Sequence, residues 1–240
     1  MIEEINKYLN GMNIKDYSYS IITRSNIYNF KDDIIIYKDI YNIVIINTLI
    51  SILISEDKIK LDGYIYDYIN TEYRDVKVFH LLTHSSGLDD NGIKEFNAGE
   101  DVLYSIYNYK LLKDIIENIV SDDVDNYIRN YIDININYSI RDYSNYIKMI
   151  LHDGYYNGKK ILDLTYIDMW FTPLFITNDN IRKTIGYNYY SENIIYSIND
   201  KVYTYIDRTD DIGIILYNIK NNENVMKEIY RILKKYDEIY

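Results

Sequence analysis

The sequence predicts an α+β fold in which strands from both ends of the chain form one antiparallel sheet flanked by helices, with a mostly helical insertion between them. Short runs rich in β-branched and aromatic residues lie near both termini, whereas the middle of the chain places apolar residues at helical spacing. No Pro/Gly/Ser-rich linker that would mark a domain boundary interrupts the chain. We expect a single domain over 1–240, with a sheet lobe of 1–38 and 181–240 and a helical lobe of 39–180.

In the N-terminal part, residues 2–10 predict a short helix that ends at Gly11. The runs 17–23 and 34–37 predict two strands of a hairpin, joined by a polar stretch over 24–33. The apolar run that follows, over 39–55, is interrupted by Asn, Thr and Ser and is shorter than the ~20 apolar residues that cross a bilayer. It predicts a buried helix.

The central region is turn-rich from residue 58 to 99 and then predicts three helices. The last third predicts four short strands and a closing helix, because β-type runs alternate there with polar turns. The expected helices are 104–120, 124–132, 140–151 and 224–236, and the expected strands are 185–190, 194–198, 202–206 and 212–217.

The composition narrows the function classes. A formal charge of −11 opposes binding to nucleic acid or to an anionic membrane, since phosphate contacts require Lys and Arg. The chain has no Cys and three scattered His, which excludes disulfides and thiolate metal sites and makes a zinc site improbable. We expect no cofactor, no metal, and an unknown protein partner or small ligand.

The residue usage also bears on the source and the compartment. The 31 Tyr against 9 Gly and 1 Pro fit the codon bias of an AT-rich genome, either of a low-GC bacterium or of a large DNA virus. The first residues lack the basic and apolar segments of a secretory signal. We therefore expect a cytoplasmic protein, in the host cytoplasm if the source is viral.

Four stretches occur in the order known from one enzyme family. Residues 76–88 read VKVFHLLTHSSGL and resemble the "HLLTHTSGL" stretch of class C β-lactamases and DD-peptidases. Residues 55–69, 104–117 and 139–162 resemble that group's "EGKLSLDDPVSKYL", "YSNxGYxLLGxIIE" and "STARDLARFLQMLLNGGxYNGKRIL" segments. Four ordered matches are far less easily produced by chance than one short motif. The chain is identified as a degenerate member of the serine β-lactamase and penicillin-binding protein family, which implies a β-lactamase/transpeptidase-like fold.

The resemblance also shows which catalytic positions have changed. The family's S-x-x-K serine and lysine positions fall on Ile40 and Ile43, neither of which can act as nucleophile or base. The family's Y-x-N element keeps Tyr104 but has Ile106 in place of Asn. The glycine of the K-T-G or H-x-G strand falls on Ile198, whose side chain would obstruct substrate at the strand.

We therefore expect a catalytically inactive, serine-hydrolase-like protein with a binding or structural role, in which Tyr104 and Ser105 are vestiges of the site. The alternative is an active serine hydrolase of the esterase, peptidase or β-lactamase type that uses a relocated serine. A third hypothesis, a decaying gene product, predicts poor cooperative folding. The candidate relocated nucleophiles are Ser51, Ser55, Ser85 and Ser105.

Three literal motif matches lie at the wrong places. Ser55 to Lys58 spells S-x-x-K at the end of the apolar helix instead of its start, Tyr143 to Asn145 spells Y-x-N inside a helix, and Lys183-Thr184 lacks the following Gly. His80 and His84 beside two serines suggest a Ser-His pair. A hydrogen-bonded scaffold loop with a turn at Gly87 explains them better, because sequence adjacency does not supply the geometry of a triad.

Overall fold

The computed structural model describes residues 1–12, 14–134, 137–199, 201–220 and 222–236. A π-helical segment, Asn42–Asn47, separates the second and third helices, and single 3₁₀ turns occur at Ile65–Asp67 and Ile128–Asn130. The helices are α1 (Ile2–Gly11), α2 (Tyr37–Tyr41), α3 (Thr48–Ser55), α4 (Val78–Leu82), α5 (Ile106–Val120), α6 (Val124–Tyr127), α7 (Ile140–Leu151), α8 (Leu164–Trp170) and α9 (Asn222–Lys235). The strands are β1 (Ser18–Ile22), β2 (Ile27–Phe30), β3 (Tyr155–Tyr156), β4 (Lys159–Lys160), β5 (Phe175–Ile176), β6 (Arg182–Lys183), β7 (Asn188–Ser191), β8 (Ile194–Asn199), β9 (Val202–Asp207) and β10 (Ile212–Tyr217).

The chain divides into two compact units. Unit 1 comprises Met1–Ile40, Asn135–Lys160 and Ser191–Tyr240, and unit 2 comprises Tyr41–Ile134 and Ile161–Tyr190. The prediction of one domain with a sheet lobe and a helical lobe stays a prediction.

The sheet of unit 1 confirms the predicted fold class. Its strands run β2-β1-β10-β9-β8, and all the neighbours are antiparallel. The central pairing joins the two ends of the chain, with Ser18 opposite Tyr217 and Ile22 opposite Gly213. The hydrogen bonds between β1 and β10 therefore form only when the two ends of the chain come together.

The two faces of this sheet are covered by different helices. Because side chains alternate along a strand, Tyr19 and Ile21 face one side with Ile214, and they pack in a buried cluster with residues of α1 and α9. Ser20, on the opposite face, lies against α7, where the Ser144 hydroxyl donates to the Ser20 hydroxyl at 2.8 Å. The helices α1 and α9 therefore cover one face of the sheet, and α7 covers the other, where buried Ile22 and Ile147 lie near the small polar contacts.

Unit 2 is mostly helical, as expected of the insertion, and adds three short antiparallel strands in the order β5-β6-β7. The α5 helix buries one face, which carries Leu111, Leu112, Ile115 and Ile116 at helical spacing. In the described part of the chain, no helix has both the length and the apolar character that crossing a bilayer requires.

Several predicted elements are displaced in the structure. The strand predicted at residues 34–37 is wrong: β1 pairs with Ile27–Phe30 instead, and Ile35 makes only an isolated bridge to Ser139. The connection within this hairpin is a tight polar turn, closed by the Thr23 N–H donating to the Asn26 carbonyl at 2.9 Å. The predicted helices over 140–151 and 224–236 are present, but α5 begins two residues later than expected, at Ile106.

Candidate functional site

The residues that resemble the family's Y-x-N element lie at the start of α5. Ser105 is the N-cap residue of this helix: its hydroxyl accepts the Tyr107 N–H at 3.1 Å and donates to the Asp89 carbonyl at 2.8 Å. The side chain is fully buried. Both hydrogen-bonding functions of this hydroxyl are thus used to begin the helix and to fix the preceding loop.

His84 lies directly behind this segment in unit 2. Its Nδ1 accepts the Ser105 N–H at 3.3 Å, so the neutral ring carries its proton on Nε2, and the Asn108 amide nitrogen donates to the same Nδ1 at 3.1 Å. Burial, together with the smaller effect of the nearby charge of Lys183, lowers the pKa of His84 to about 3. The imidazole is therefore uncharged at neutral pH.

Tyr104 packs its ring on His84, with the two ring centroids 4.5 Å apart. The tyrosine is 56 % exposed, yet its partial burial raises the pKa of the phenol, and the Asp90 carboxylate raises it further. The phenol therefore stays protonated at neutral pH. A protonated phenol cannot take a proton from a nucleophile, so Tyr104 does not act as a base in this form.

Two large apolar side chains are exposed around the same loop. Ile106 is 60 % exposed and Ile93 is 61 % exposed. The Ile106 N–H donates to Asp90 Oδ1 at 2.8 Å, and the Ile93 N–H donates to Asp89 Oδ1 at 2.7 Å. The acidic loop thus holds both backbones in place, and the side chain at Ile106, where the resemblance predicts the family's amide, is an exposed hydrocarbon.

The expected nucleophile and base positions are also hydrocarbon. Ile40 and Ile43 are both buried, and Ile43 lies in the π-helical segment. Neither side chain carries an atom that can attack a carbonyl or accept a proton. Ile198, which the sequence predicts at the glycine position of the family's strand, lies on β8 of unit 1 opposite Tyr203 and is 55 % exposed.

The four candidate relocated serines differ in exposure but share one feature. None of their hydroxyls bonds to an imidazole, an amine or a carboxylate in the described part of the chain. Ser51 donates to the Asn47 carbonyl and accepts from Trp170 Nε1, whereas the exposed Ser55 donates to the Ile52 carbonyl. Ser85 shares a 2.8 Å hydrogen bond with the Thr83 hydroxyl. No adjacent base therefore activates any of them.

The histidine-serine loop forms the scaffold that the sequence predicts. His80 Nδ1 accepts the backbone N–H of Lys77 at 3.0 Å, and the Ser86 hydroxyl donates to Asn108 Oδ1 at 2.7 Å. Gly87 has φ +77°, and a Cβ there would lie 2.0 Å from the Phe96 carbonyl oxygen. The turn at Gly87 therefore requires glycine.

The literal motif matches have structural roles. Lys58 pairs with Glu56 at 2.8 Å at the end of α3. Tyr143 is buried and shares a 3.1 Å hydrogen bond with the Thr204 hydroxyl. Lys183 donates to Asn188 Oδ1, and burial lowers the pKa of this lysine. Over the residues that the structure describes, no three His, Asp or Glu side chains form a cluster that could hold a metal ion.

Sequence reasoning missed two features of unit 2. Asn47 is fully buried with neither of its amide atoms hydrogen-bonded to any described residue, and Ser51 accepts the buried indole N–H of Trp170 at 2.7 Å. The available signal in the sequence was the presence of two polar residues, Asn47 and Ser51, within the apolar run. Ser51 and Trp170 lie more than a hundred residues apart in sequence, so the pattern alone could not identify their contact.

Comparison with known proteins agrees with the resemblance seen in the sequence. The β-lactamase family model matches residues 44–132. Among solved structures, the penicillin-binding protein homologue of Pyrococcus abyssi, an octamer, has 17 % identity and a TM-score of 0.73 over 91 % of this chain and 74 % of its own. The penicillin-binding protein of Bacillus halodurans has 12 % identity and a TM-score of 0.71 over 95 % and 98 %.

A β-lactamase of Mycobacterium bovis is similar as well, with 11 % identity and a TM-score of 0.70 over 89 % of this chain and 90 % of its own. No curated protein sequence matches. The family model covers less than half of this chain, and the solved structures confirm the β-lactamase/transpeptidase-like fold that the sequence predicts.

Proposed function

We propose that this chain, which has the fold of the serine β-lactamases and penicillin-binding proteins, does not carry out acyl transfer and acts as a binding protein. The strongest support for the proposal is that isoleucine stands at all four positions that the resemblance assigns to the catalytic elements, Ile40, Ile43, Ile106 and Ile198. One loss could be compensated by a neighbouring group. The joint loss of nucleophile, base, amide and strand glycine removes attack, proton transfer and substrate orientation together.

The surroundings of Tyr104 support the same proposal. Of the family's Y-x-N element the chain keeps the tyrosine, whose protonated phenol lies tilted against a neutral imidazole. Ser105, the nearest hydroxyl in sequence, is buried as a helix cap. These contacts stabilise the loop and the helix start, and they leave no group poised to accept a proton.

The exposed apolar side chains indicate where a partner would bind. Ile93, Tyr104 and Ile106 are each more than half exposed, and all three belong to segments held by the Asp89–Asp90 loop. Exposed apolar side chains beside acidic groups favour an amphipathic partner, because burying them releases water while the rim stays polar. We place the binding surface on unit 2 at these residues.

Hydrolysis assays test the absence of acyl transfer. The purified protein is incubated with a chromogenic cephalosporin and with p-nitrophenyl esters of short acids, beside a panel of S51A, S55A, S85A and S105A variants. We expect turnover no faster than that of heat-denatured protein. Turnover that one serine variant abolishes, while the other three retain it, would establish the alternative of a serine hydrolase with a relocated nucleophile.

The binding surface is tested separately with the matched variants I93E/I106E and I35E. Ile35 is also exposed, at 49 %, but lies in unit 1. Binding partners captured from the source cells by the wild type should be lost by I93E/I106E and retained by I35E. Equal retention by both variants would exclude this surface, whatever the hydrolysis assays show.

A further inference from the structure

The loop over residues 88–105, which leads into α5 and carries most of the proposed binding surface, is strongly acidic. It contains five carboxylates, at residues 89, 90, 95, 100 and 101, and a single lysine, Lys94. The Lys94 amine lies 2.5 Å from the Asp75 carboxylate, so its charge is already paired. Among the residues that the structure describes, no lysine or arginine pairs with Asp90, Glu95 or Asp101. These three exposed side chains therefore present negative charge that is not neutralised.

The carboxylate of Asp90 lies beside the exposed apolar side chains. Its Oδ1 accepts the Ile106 N–H at 2.8 Å. Burial first and the charge of Asp90 second raise the pKa of the Tyr104 phenol, so this carboxylate is close to that ring as well. Its other oxygen, Oδ2, accepts no hydrogen bond from any described residue. A cation of a partner could therefore pair with Asp90 while apolar side chains of the same partner cover Tyr104 and Ile106.

The backbone of this loop has few hydrogen-bonding groups left for a partner. The Asp89 N–H donates to the Ile93 carbonyl at 2.9 Å, and the Asp89 carbonyl accepts the Ser105 hydroxyl at 2.8 Å. The Gly92 N–H donates to the Asp89 carbonyl at 3.0 Å, and the Gly92 carbonyl accepts the Tyr73 hydroxyl at 2.8 Å. An extended strand needs backbone partners on the surface that it joins, whereas a helix satisfies its own backbone and contacts the surface through side chains. The loop therefore favours a helix.

From these contacts we infer that the surface binds a basic amphipathic helix of another protein. The apolar stripe of the helix covers Ile93, Tyr104 and Ile106, a lysine or arginine beside the stripe pairs with Asp90, and further cations meet the other carboxylates of the loop. The inference rests on the proposed binding surface and specifies the chemistry of its partner. It does not favour an anionic membrane, because the same carboxylates would repel acidic lipid headgroups.

Two matched peptides test this chemistry on the full chain. The first has about 14 residues, enough for roughly four helical turns, with Leu on one face and Lys on the other. The second has Glu in place of every Lys. Each carries a fluorophore, and fluorescence anisotropy measures binding. We expect the basic peptide to bind at least about tenfold more tightly than the acidic one and to gain helical circular dichroism on binding.

Two variants separate the local carboxylate from the overall charge of −11. D90N keeps an oxygen that can accept the Ile106 N–H and should weaken binding of the basic peptide about two- to fivefold. D122N removes a charge that is also exposed, at the other end of α5. That helix of 15 residues is about 22 Å long, more than the ~10 Å over which charges act in 0.1 M salt, so D122N should leave binding unchanged. Equal weakening by the two variants would indicate nonspecific attraction and overturn the inference.

The apolar contacts are tested with I93S/I106S, which leaves the charge unchanged and should weaken binding of the basic peptide at least about tenfold. If the basic peptide does not bind, or if the acidic peptide binds equally well, the partner chemistry inferred here is wrong. The proposed surface itself is judged by the capture experiment with I93E/I106E and I35E, so the two failures are distinguishable. Sedimentation with phosphatidylcholine vesicles that I93S/I106S abolishes, without binding of the basic peptide, would identify a membrane as the partner and overturn the inference.

Discussion

The backbone of Gly186 lies against the side chain of Asn47: a Cβ atom added at Gly186 would be 1.8 Å from Asn47 Nδ2. Gly186 has φ +70°, and its N–H donates to the Leu82 carbonyl at 3.3 Å. Asn47 belongs to the π-helical segment and is fully buried. This contact joins the loop before β7 to the helical part of unit 2, in a position where only glycine fits.

We predict that Gly186→Ala lowers the free energy of unfolding by about 2–4 kcal/mol, because the added methyl group must displace a buried side chain in addition to straining the backbone. Urea unfolding followed by circular dichroism measures the loss. Gly158→Ala is the control: φ there is +80°, but no atom lies within 4 Å of the added Cβ. It should cost only the backbone strain, about 1–2 kcal/mol. Equal losses in the two variants would contradict the steric argument.

Ser51→Ala should lower the free energy of unfolding by about 1–3 kcal/mol, since it leaves the buried Trp170 indole N–H without its acceptor. Ser55→Ala, on the same helix, removes only an exposed hydroxyl and should change stability by less than about 0.5 kcal/mol. Thermal unfolding of the pair, monitored by tryptophan fluorescence, checks the difference. The contact is refuted if Ser51→Ala is as stable as the wild type.

Stability should fall on mild acidification because His84 is buried as a neutral ring. Its folded pKa, about 3, is below the ordinary value of 6.5, so the unfolded chain takes up a proton first as the pH falls. The contribution is fully present above pH 6.5 and is lost from there toward pH 3. His80, whose pKa burial lowers to about 4, acts in the same direction.

Each of these histidines should contribute a slope of up to about 1.4 kcal/mol per pH unit. Urea unfolding between pH 7.5 and pH 5 measures it, above the range in which most carboxylates titrate. His84→Asn should remove the slope of one histidine while fitting the left-handed backbone at φ +57°. An unchanged slope in this variant would show that His84 is not buried as a neutral ring.

Restoring the family's amide should leave the fold intact and create no catalysis. Ile106→Asn changes a side chain that is 60 % exposed at the first position of α5, so the free energy of unfolding should change by less than about 0.5 kcal/mol. Leu112→Asn, on the buried face of the same helix, should cost about 3 kcal/mol or more. Denaturant unfolding measures both variants. A large loss in Ile106→Asn would mean that its side chain is packed.

The sequence predicted the fold class and the long helices because both depend on periodic burial. The apolar residues of α5 and α7 recur at helical spacing, and the terminal runs have β-type composition. The second strand was misplaced because Ile34, Ile35 and Ile36 have stronger β propensity than residues 27–30. Pairing with β1 is decided by the tight turn at Thr23, which local propensity does not report.

At the candidate site, sequence reasoning identified the residues but not their contacts. Ser105 precedes an apolar helical run, which is typical of an N-cap, yet it was interpreted as a vestige of the active site. The ring contact between Tyr104 and His84 joins residues twenty positions apart through a loop and follows no periodic pattern.

The central claim is that the chain has no activated serine, and covalent labelling tests it most directly. The folded protein is treated with a fluorophosphonate and, separately, with a fluorescent penicillin, and intact mass spectrometry reports any adduct against a heat-denatured control. The account predicts a protein that melts cooperatively and remains unlabelled by both reagents. A stoichiometric adduct on one serine of the folded chain, absent from the denatured control, would contradict it and identify the nucleophile of a working enzyme.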